Sequence, residues 1–182
     1  MTHKKALIKI YKGFCFFIHM DKEKIFDLNQ LREDYIVLTK KYKLPEFEQL
    51  AEDFDIEKAS EKETLFILRS IRRAINEKIS GYLHLFETLM NPTSAPMLIL
   101  LMLKNSDEQS RKEIEETYKK IAKIEIISIK LDTIYSEKKE AEYISYVYTE
   151  WQKMKQPLYD LIEKCESNFD ISIKSDKKAY FG

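Results

Sequence analysis

Apolar residues at alternating steps of three and four are the feature that most limits how this chain can fold. One such row occupies residues 21–43 and comprises Leu28, Leu31, Tyr35, Leu38 and Tyr42. This spacing follows one face of an α-helix. Glycine (3 residues) and proline (4 residues) are scarce in the 182-residue chain, which leaves little turn-forming sequence for a sheet. The sequence therefore predicts a few long amphipathic helices.

Three further rows of the same kind follow, each with its own start signal. The second begins at the capping box Ser60–Glu63, ends near Asn91 and comprises Leu65, Leu68, Arg72, Ile75, Ile79, Tyr82, Phe86 and Leu89. The third begins at the capping box Ser106–Gln109 and comprises Ile114, Thr117, Ile121, Ile124, Ser128, Leu131 and Tyr135. The fourth, capped by Ser136 and predicted to kink at Pro157, comprises Ile144, Val147, Trp151, Met154, Leu158, Leu161 and Cys165.

These rows and their short connections predict an all-α fold. We expect an antiparallel bundle of three to four long helices with two short helices in the connections, because this spacing is the one that bundle packing uses. One short helix follows the interruption at Leu44-Pro45 and places Phe47, Leu50 and Phe54 on one face.

The other short helix is predicted within "NPTSAPMLILLMLKNSD", residues 91–107. Proline restricts the preceding Asn91 and so ends the second long helix. The aliphatic run 97–103 is much shorter than the roughly 20 residues that span a membrane, which excludes a membrane element here. Because the run is apolar on all sides, we expect it to be enclosed at one end of the bundle, with Leu100 in the interior. Docking of a partner is the alternative.

The chain length suits one domain, which we place at residues 20–167. Residues 1–19 are predicted to be a poorly ordered extension or an upstream start chosen in error, because Met20 begins a helix-like acidic segment. They carry four lysines and no acid, and two of these lysines break the apolar stretch that a secretion signal needs. Residues 168–182 are predicted to form a flexible tail. Sequencing the native amino terminus tests the start.

Three segments carry a resemblance to a known family. They read "KLPEFEQLAEDFDIEK", "ETLFILRSIRRAINEKI" and "NPTSAP". With them the chain resembles a family of small, all-helical archaeal proteins of uncharacterised function, over about residues 21–165. The resemblance implies an archaeal, cytoplasmic origin. It implies no activity, so no functional residue is transferred.

A cluster of arginines is the first candidate binding feature. Arg69, Arg72 and Arg73 lie three or four residues apart and share one helix face. They could contact an anion or a nucleic acid, or they could pair with the acidic residues that precede them. Those acidic residues are Glu46, Glu48, Glu52, Asp53, Asp55, Glu57, Glu61 and Glu63. We favour pairing, because a buried arginine needs a carboxylate partner.

A cluster of aromatic residues is the second candidate. The segment "EYISYVYTEW" contains Tyr143, Tyr146, Tyr148 and Trp151. Exposed, these side chains could stack on bases or anchor a protein partner. Packed against a neighbouring helix, they would form the edge of the core, which we favour. The possible binding surface therefore comprises Arg69, Arg72, Arg73, Tyr143, Tyr146 and Trp151.

The sequence offers few groups for catalysis or for a cofactor. Its three histidines are His3, His19 and His84, and the Glu-x-x-His pairs of a ferritin-like metal site are absent. Three glycines cannot supply a phosphate-binding loop. Cys15 and Cys165 lie too far apart in sequence to form a metal or redox motif. We therefore expect no cofactor and no enzymatic activity.

Three hypotheses for function remain. The first is a cytoplasmic, non-enzymatic protein-interaction module or adaptor that binds a protein partner or a second copy of itself. The second is a nucleic-acid-associated protein that uses the arginines and the mid-chain lysines Lys119, Lys120 and Lys123, although the formal net charge of zero weakens it. The third is a ligand-binding or enzymatic bundle with a cavity in its core.

Overall fold

Six α-helices and two short 3₁₀ helices make up a computed structural model that describes residues 28–61, 66–104 and 106–180. The α-helices are α1 (Leu28–Tyr42), α2 (Phe47–Asp53), α3 (Ile67–Met90), α4 (Met97–Leu103), α5 (Glu108–Thr133) and α6 (Glu137–Tyr180). Four are long, and the short α2 and α4 lie in connections, so the predicted all-α architecture is confirmed. The predicted extension 1–19 lies outside the described residues.

Polar contacts fix the directions of the three central helices. Arg72, near the start of α3, reaches Asp132 near the end of α5, and Ser80 donates to Glu125 halfway along. These contacts make α3 and α5 antiparallel. Helices α5 and α6 are also antiparallel, because Lys164, late in α6, lies 2.6 Å from Glu113, early in α5.

Helices α1 and α2 cover the half of this bundle in which α6 begins. Tyr42, the last residue of α1, donates its hydroxyl to Glu137, the first residue of α6, at 2.6 Å. Lys43 then has a φ of 56°, a left-handed conformation that ends α1. The Tyr35 hydroxyl donates to the Pro45 carbonyl at 2.9 Å, which holds the turn into α2 against α1.

The core consists mainly of the predicted rows. Leu31 on α1, Ile75 on α3 and Val147 on α6 are fully withdrawn from solvent. Arg72 and Ser128 are buried in the same rows, so two polar side chains lie between α3 and α5. Buried polar groups need partners, and here the Arg72 guanidinium donates to the Ser128 hydroxyl at 2.6 Å.

Two helix starts differ from the predicted positions. Helix α3 begins at Ile67, not at the Ser60 capping box, because Ile56–Glu61 forms a 3₁₀ helix. A 3₁₀ helix aligns residues three apart, and this one buries Ile56 and Ala59 together. Helix α5 is capped by Asp107, whose carboxylate accepts from the Ser110 N–H at 2.8 Å, and not by Ser106.

The C-terminal residues also differ from the prediction. Residues 168–180 were predicted to belong to a flexible tail, whereas α6 continues through Pro157 to Tyr180 as one helix. Two contacts explain the continuation. Asn168 donates to the Ser106 hydroxyl at 3.3 Å, and the buried Ser172 donates to the Leu101 carbonyl at 3.2 Å. Helix α4 therefore gives the last part of α6 a surface to pack on.

The prediction that α4 is enclosed is wrong. Ile99 is buried, but Met97 is 69% exposed, Leu98 53% and Leu100 42%. A two-turn helix that lies along α6 can turn only one face inward, and Ile99 occupies that face. The opposite face of α4 is therefore apolar and open to solvent.

Candidate functional site

Arg72 is the centre of a buried ion-pair network between α3, α5 and α6. Its side chain is 1% exposed, and its Nε donates to Glu140 Oε2 at 2.6 Å. Its Nη2 donates to Asp132 Oδ1 and its Nη1 to Ser128 Oγ, both at 2.6 Å. All three guanidinium nitrogens therefore have partners within the bundle.

The other two arginines complete the same network. Arg69 Nε lies 3.3 Å from Glu140 Oε1, and its guanidinium lies 4.7 Å from the centre of the Tyr135 ring. Arg73 is exposed, and its Nη2 lies 3.3 Å from Asp132 Oδ1. The arginines are thus paired, and the carboxylates that the structure shows beside them belong to α5 and α6, whereas the predicted partners were the acidic residues 46–63.

The pKa shifts agree with this pairing. Burial alone would lower the pKa of Arg72, but the hydrogen bonds and charges of Asp132 and Glu140 outweigh it and raise that pKa. Burial likewise tends to raise the pKa of Asp132, yet Arg72 and Arg73 hold it below the ordinary value. The opposite charges of the network stabilise one another in their ionised forms. The network therefore serves to join the helices.

The acidic residue Asp53 has a separate set of partners. Gln152 donates to its Oδ2 at 2.5 Å, Lys155 forms an ion pair with Oδ1, and Lys78 donates to its main-chain carbonyl at 2.6 Å. Burial tends to raise the pKa of Asp53, but Lys155 and Gln152 lower it below the ordinary value. Asp53 therefore ties the end of α2 to α3 and α6.

Two of the predicted aromatic surface residues lie inside the protein. Trp151 is 3% exposed, and its ring centre lies 5.5 Å from those of Phe54 and Tyr82. Tyr143 is 2% exposed and donates its hydroxyl to Asn76 Oδ1 at 3.0 Å. Burial raises the pKa of Tyr143. Tyr146 is only half-buried and reaches the surface.

The surface next to Tyr146 is a groove between α5 and α6. Its volume is about 390 Å³. The residues that line it, which together we name the lysine groove, are Lys123, Ile127 and Leu131 on α5, and Lys139, Glu142, Tyr143 and Tyr146 on α6. Its floor is aliphatic and aromatic, and a lysine lies on each wall.

The lysines of this groove have no carboxylate partner within the part of the chain that the structure describes. Among the described residues, no Asp or Glu forms a salt bridge with Lys123, Lys139 or the nearby Lys130, whereas Glu142 pairs with Lys138 at 3.7 Å. Residues 119–130 contain four lysines against one acid, Glu125, and that acid is bonded to Ser80 on α3. The groove is therefore a positively charged, apolar surface.

Three further exposed aliphatic side chains lie near the end of α5 but do not line the groove. Ile126 and Ile129 on α5 are 53% and 58% exposed, and Ile134, directly after α5, is 75% exposed. Ile129 lies on nearly the opposite side of α5 from Ile127, so these side chains are not part of the lysine groove.

The sequence had assigned the parts of this groove to different hypotheses. Lys123 belonged to the nucleic-acid hypothesis and Tyr146 to the aromatic cluster, and the structure brings them together across the α5–α6 groove. The other mid-chain lysines point elsewhere. Lys119 pairs with Glu115, and Lys120 lines a separate depression with Glu113 and Glu116. Lys139 was missed, although its place one turn before Tyr143 on α6 is readable from the spacing.

Two further properties hold for the described residues. None of their helices is both long enough and apolar enough to cross a membrane. Within the same ranges, no group of three or more His, Cys, Asp or Glu side chains could hold a metal ion.

Comparisons of the chain with protein-family models, with curated proteins and with solved structures gave no match. The resemblance to an archaeal helical family therefore stays a prediction.

Proposed function

We propose that this protein is a non-enzymatic interaction module whose lysine groove binds an amphipathic helix with acidic edges. One observation carries the proposal. Lys123 and Lys139 stand on opposite walls of an apolar groove, and neither has a carboxylate partner among the described residues. A protein with zero formal net charge has enough acids to neutralise both lysines. Because both lysines nevertheless lack a carboxylate among the described residues, a partner that supplies acidic residues is favoured.

The shape of the groove favours a helical partner. A groove between two packed helices accepts the apolar face of a third helix, whose anchors lie at steps of three, four and seven residues. The partly exposed Ile127 and Tyr146 would contact those anchors. Acidic residues on the edges of the partner helix would lie near Lys123 and Lys139, which supports recognition by charge complementarity.

A single-stranded nucleic acid is the second candidate. Unpaired lysines beside Tyr146 favour it, since a basic surface with an accessible ring can hold a base. The arginines do not add to that surface, because Glu140 and Asp132 occupy Arg69, Arg72 and Arg73. The protein partner therefore has more support. We also propose that the module acts in the cytoplasm, and the free thiol of Cys165 is consistent with a reducing compartment.

A binding titration with three labelled probes tests the proposal. The probes are a helical peptide with leucines on one face and glutamates on its edges, the same peptide with lysines in place of glutamates, and a single-stranded oligothymidine. We expect the full chain to bind the glutamate peptide and to prefer it over the lysine peptide. In K123E/K139E the affinity falls about tenfold, because two rim contacts of up to about 1 kcal/mol each become repulsive.

The control is K112E/K153E, which makes the same change in net charge at exposed lysines on the same two helices. We expect its affinity to stay within about twofold of the unchanged protein. An equal loss in both variants, or no binding of the glutamate peptide, overturns the proposal. Preferential binding of oligothymidine, lost in K123E/K139E, overturns it in favour of the nucleic-acid alternative.

A further inference from the structure

The outer face of α4 is a second apolar surface, at the other end of the bundle. It comprises Met97, Leu98 and Leu100, and we name it the α4 surface. Tyr146 of the lysine groove precedes Ser172, which contacts α4, by 26 positions on α6, or about 39 Å along a helix. The two surfaces are therefore separate.

The α4 surface has no charged residue within it. Residues 97–103 are entirely apolar in a chain of which 34% is charged. Each Å² of apolar surface removed from water contributes about 25 cal/mol, so three exposed aliphatic side chains on adjacent turns favour a cover. The nature of that cover follows from the charges around it.

Acidic residues surround this end of the bundle. Residues 107–116 at the start of α5 contain five acids against two basic residues, and residues 160–170 of α6 contain four acids against one lysine. Both segments adjoin α4, because Ser106 bonds to Asn168 and Leu103 lines a depression with Ile114 and Glu115. An apolar and basic cover would complement this environment.

We propose that residues 1–19 of the same chain cover the α4 surface. This segment contains Lys4, Lys5, Lys9 and Lys12 and no acid, and its apolar residues include the run "FCFFI", 14–18. It therefore combines the two properties that the α4 surface requires. The lysine groove is a poor site for it, since lysines would face lysines.

The tether favours binding within one molecule. Residues 19–27 join the apolar run 14–18 to Leu28 and let it lie up to about 35 Å from Leu28 when extended, which is about half the ~66 Å length of the 44-residue α6. Because the segment belongs to the same chain, its binding to the α4 surface is intramolecular, with an effective concentration up to the millimolar range. A second copy of the chain at micromolar concentration competes poorly with it.

Cross-linking through the chain's own thiol tests this inference. Cys15 lies in the proposed cover, and Cys165 is 3% exposed with a thiol pKa raised by burial, so it reacts slowly. In the full-length Leu98→Cys variant, a short bismaleimide should join Cys15 to the new thiol and leave the product at monomer mass. The matched control is Ile134→Cys, an exposed site at the end of α5 near the lysine groove.

We expect cross-linking at least fivefold faster for Leu98→Cys than for Ile134→Cys, and none when Cys15→Ser is added. Reversal of two lysines in the segment, K9E/K12E, should slow the reaction severalfold. Equal cross-linking rates at the two sites overturn the inference. A product of dimer mass only also overturns it, because a second copy of the chain then covers α4. The cross-linking assay does not depend on peptide binding to the lysine groove, so either proposal can fail while the other holds.

Discussion

Arg72 and Glu140 lie 68 residues apart in sequence and meet at 2.6 Å, with the arginine 1% and the glutamate 0% exposed. This pair joins α3 to the first turn of α6, and Asp132 and Ser128 extend it to α5. The junction of the three central helices at this point is therefore polar and buried. A polar junction of this kind is satisfied in only one register of the three helices.

Removal of Glu140 should be among the most destabilising single changes in the protein. In Glu140→Ala the Arg72 guanidinium stays buried without its main partner, which costs about 3–5 kcal/mol. Urea denaturation followed by circular dichroism measures the difference in the free energy of unfolding.

Arg73→Ala is the control for that experiment, since Arg73 is exposed and its ion pair is with the half-exposed Asp132. It should cost no more than about 1 kcal/mol. The double variant R72M/E140L removes both charges and should recover much of the loss, because paired apolar replacements leave no buried charge. A double variant as unstable as Glu140→Ala would show that the cost comes from packing and not from charge.

The pairing of Asp53 should make stability depend on pH in the acid range. Burial tends to raise the pKa of Asp53, but Lys155 and Gln152 hold it below its ordinary value of 3.8. A lowered folded-state pKa gives stability that is present above the unfolded pKa, near 3.9, and is lost as the pH falls through the folded pKa. Asp53→Asn should therefore cost about 1.5 kcal/mol at pH 7, and less at pH 3.

Thermal or urea unfolding of both proteins at the two pH values measures this difference. Asp55→Asn is the matched control, because Asp55 is exposed and its carboxylate lies 3.3 Å from the ammonium group of the half-exposed Lys58. Asp55→Asn should change the free energy of unfolding by no more than about 0.5 kcal/mol at either pH. A loss for Asp53→Asn that is the same at pH 3 and pH 7 would contradict a role for the charge.

Local spacing was enough to predict the helices and most of their buried faces, but not the pairs that join them. Leu31, Ile75 and Val147 are buried as expected, because periodicity is a property of each segment alone. The partner of Arg72 depends on which helix lies beside α3, so the nearest acids in sequence, residues 46–63, were the wrong choice. A usable signal existed, since Glu140 continues the buried row of α6 four residues before Ile144.

The lysine groove was beyond sequence reasoning for the same reason. Lys123 and Lys139 become one feature only when α5 and α6 pack side by side. The exposure of α4 likewise depends on α6 extending to Ser172 and beyond, so that α4 lies along it instead of entering the bundle. Composition alone indicates that such a run is apolar, not which of its faces is covered.

The same substitution at two adjacent residues of α4 should therefore lower the free energy of unfolding by very different amounts. Leu100 is 42% exposed, and Leu100→Lys should leave the bundle folded, with a loss of about 1 kcal/mol or less. Ile99 is 7% exposed, and Ile99→Lys places a charge against α6, which should cost more than about 3 kcal/mol. Urea unfolding of the two variants measures both losses. Equal destabilisation would mean that the bundle itself encloses α4 on both faces, since a lysine that points away from the bundle keeps its ammonium group in water once the proposed cover is displaced.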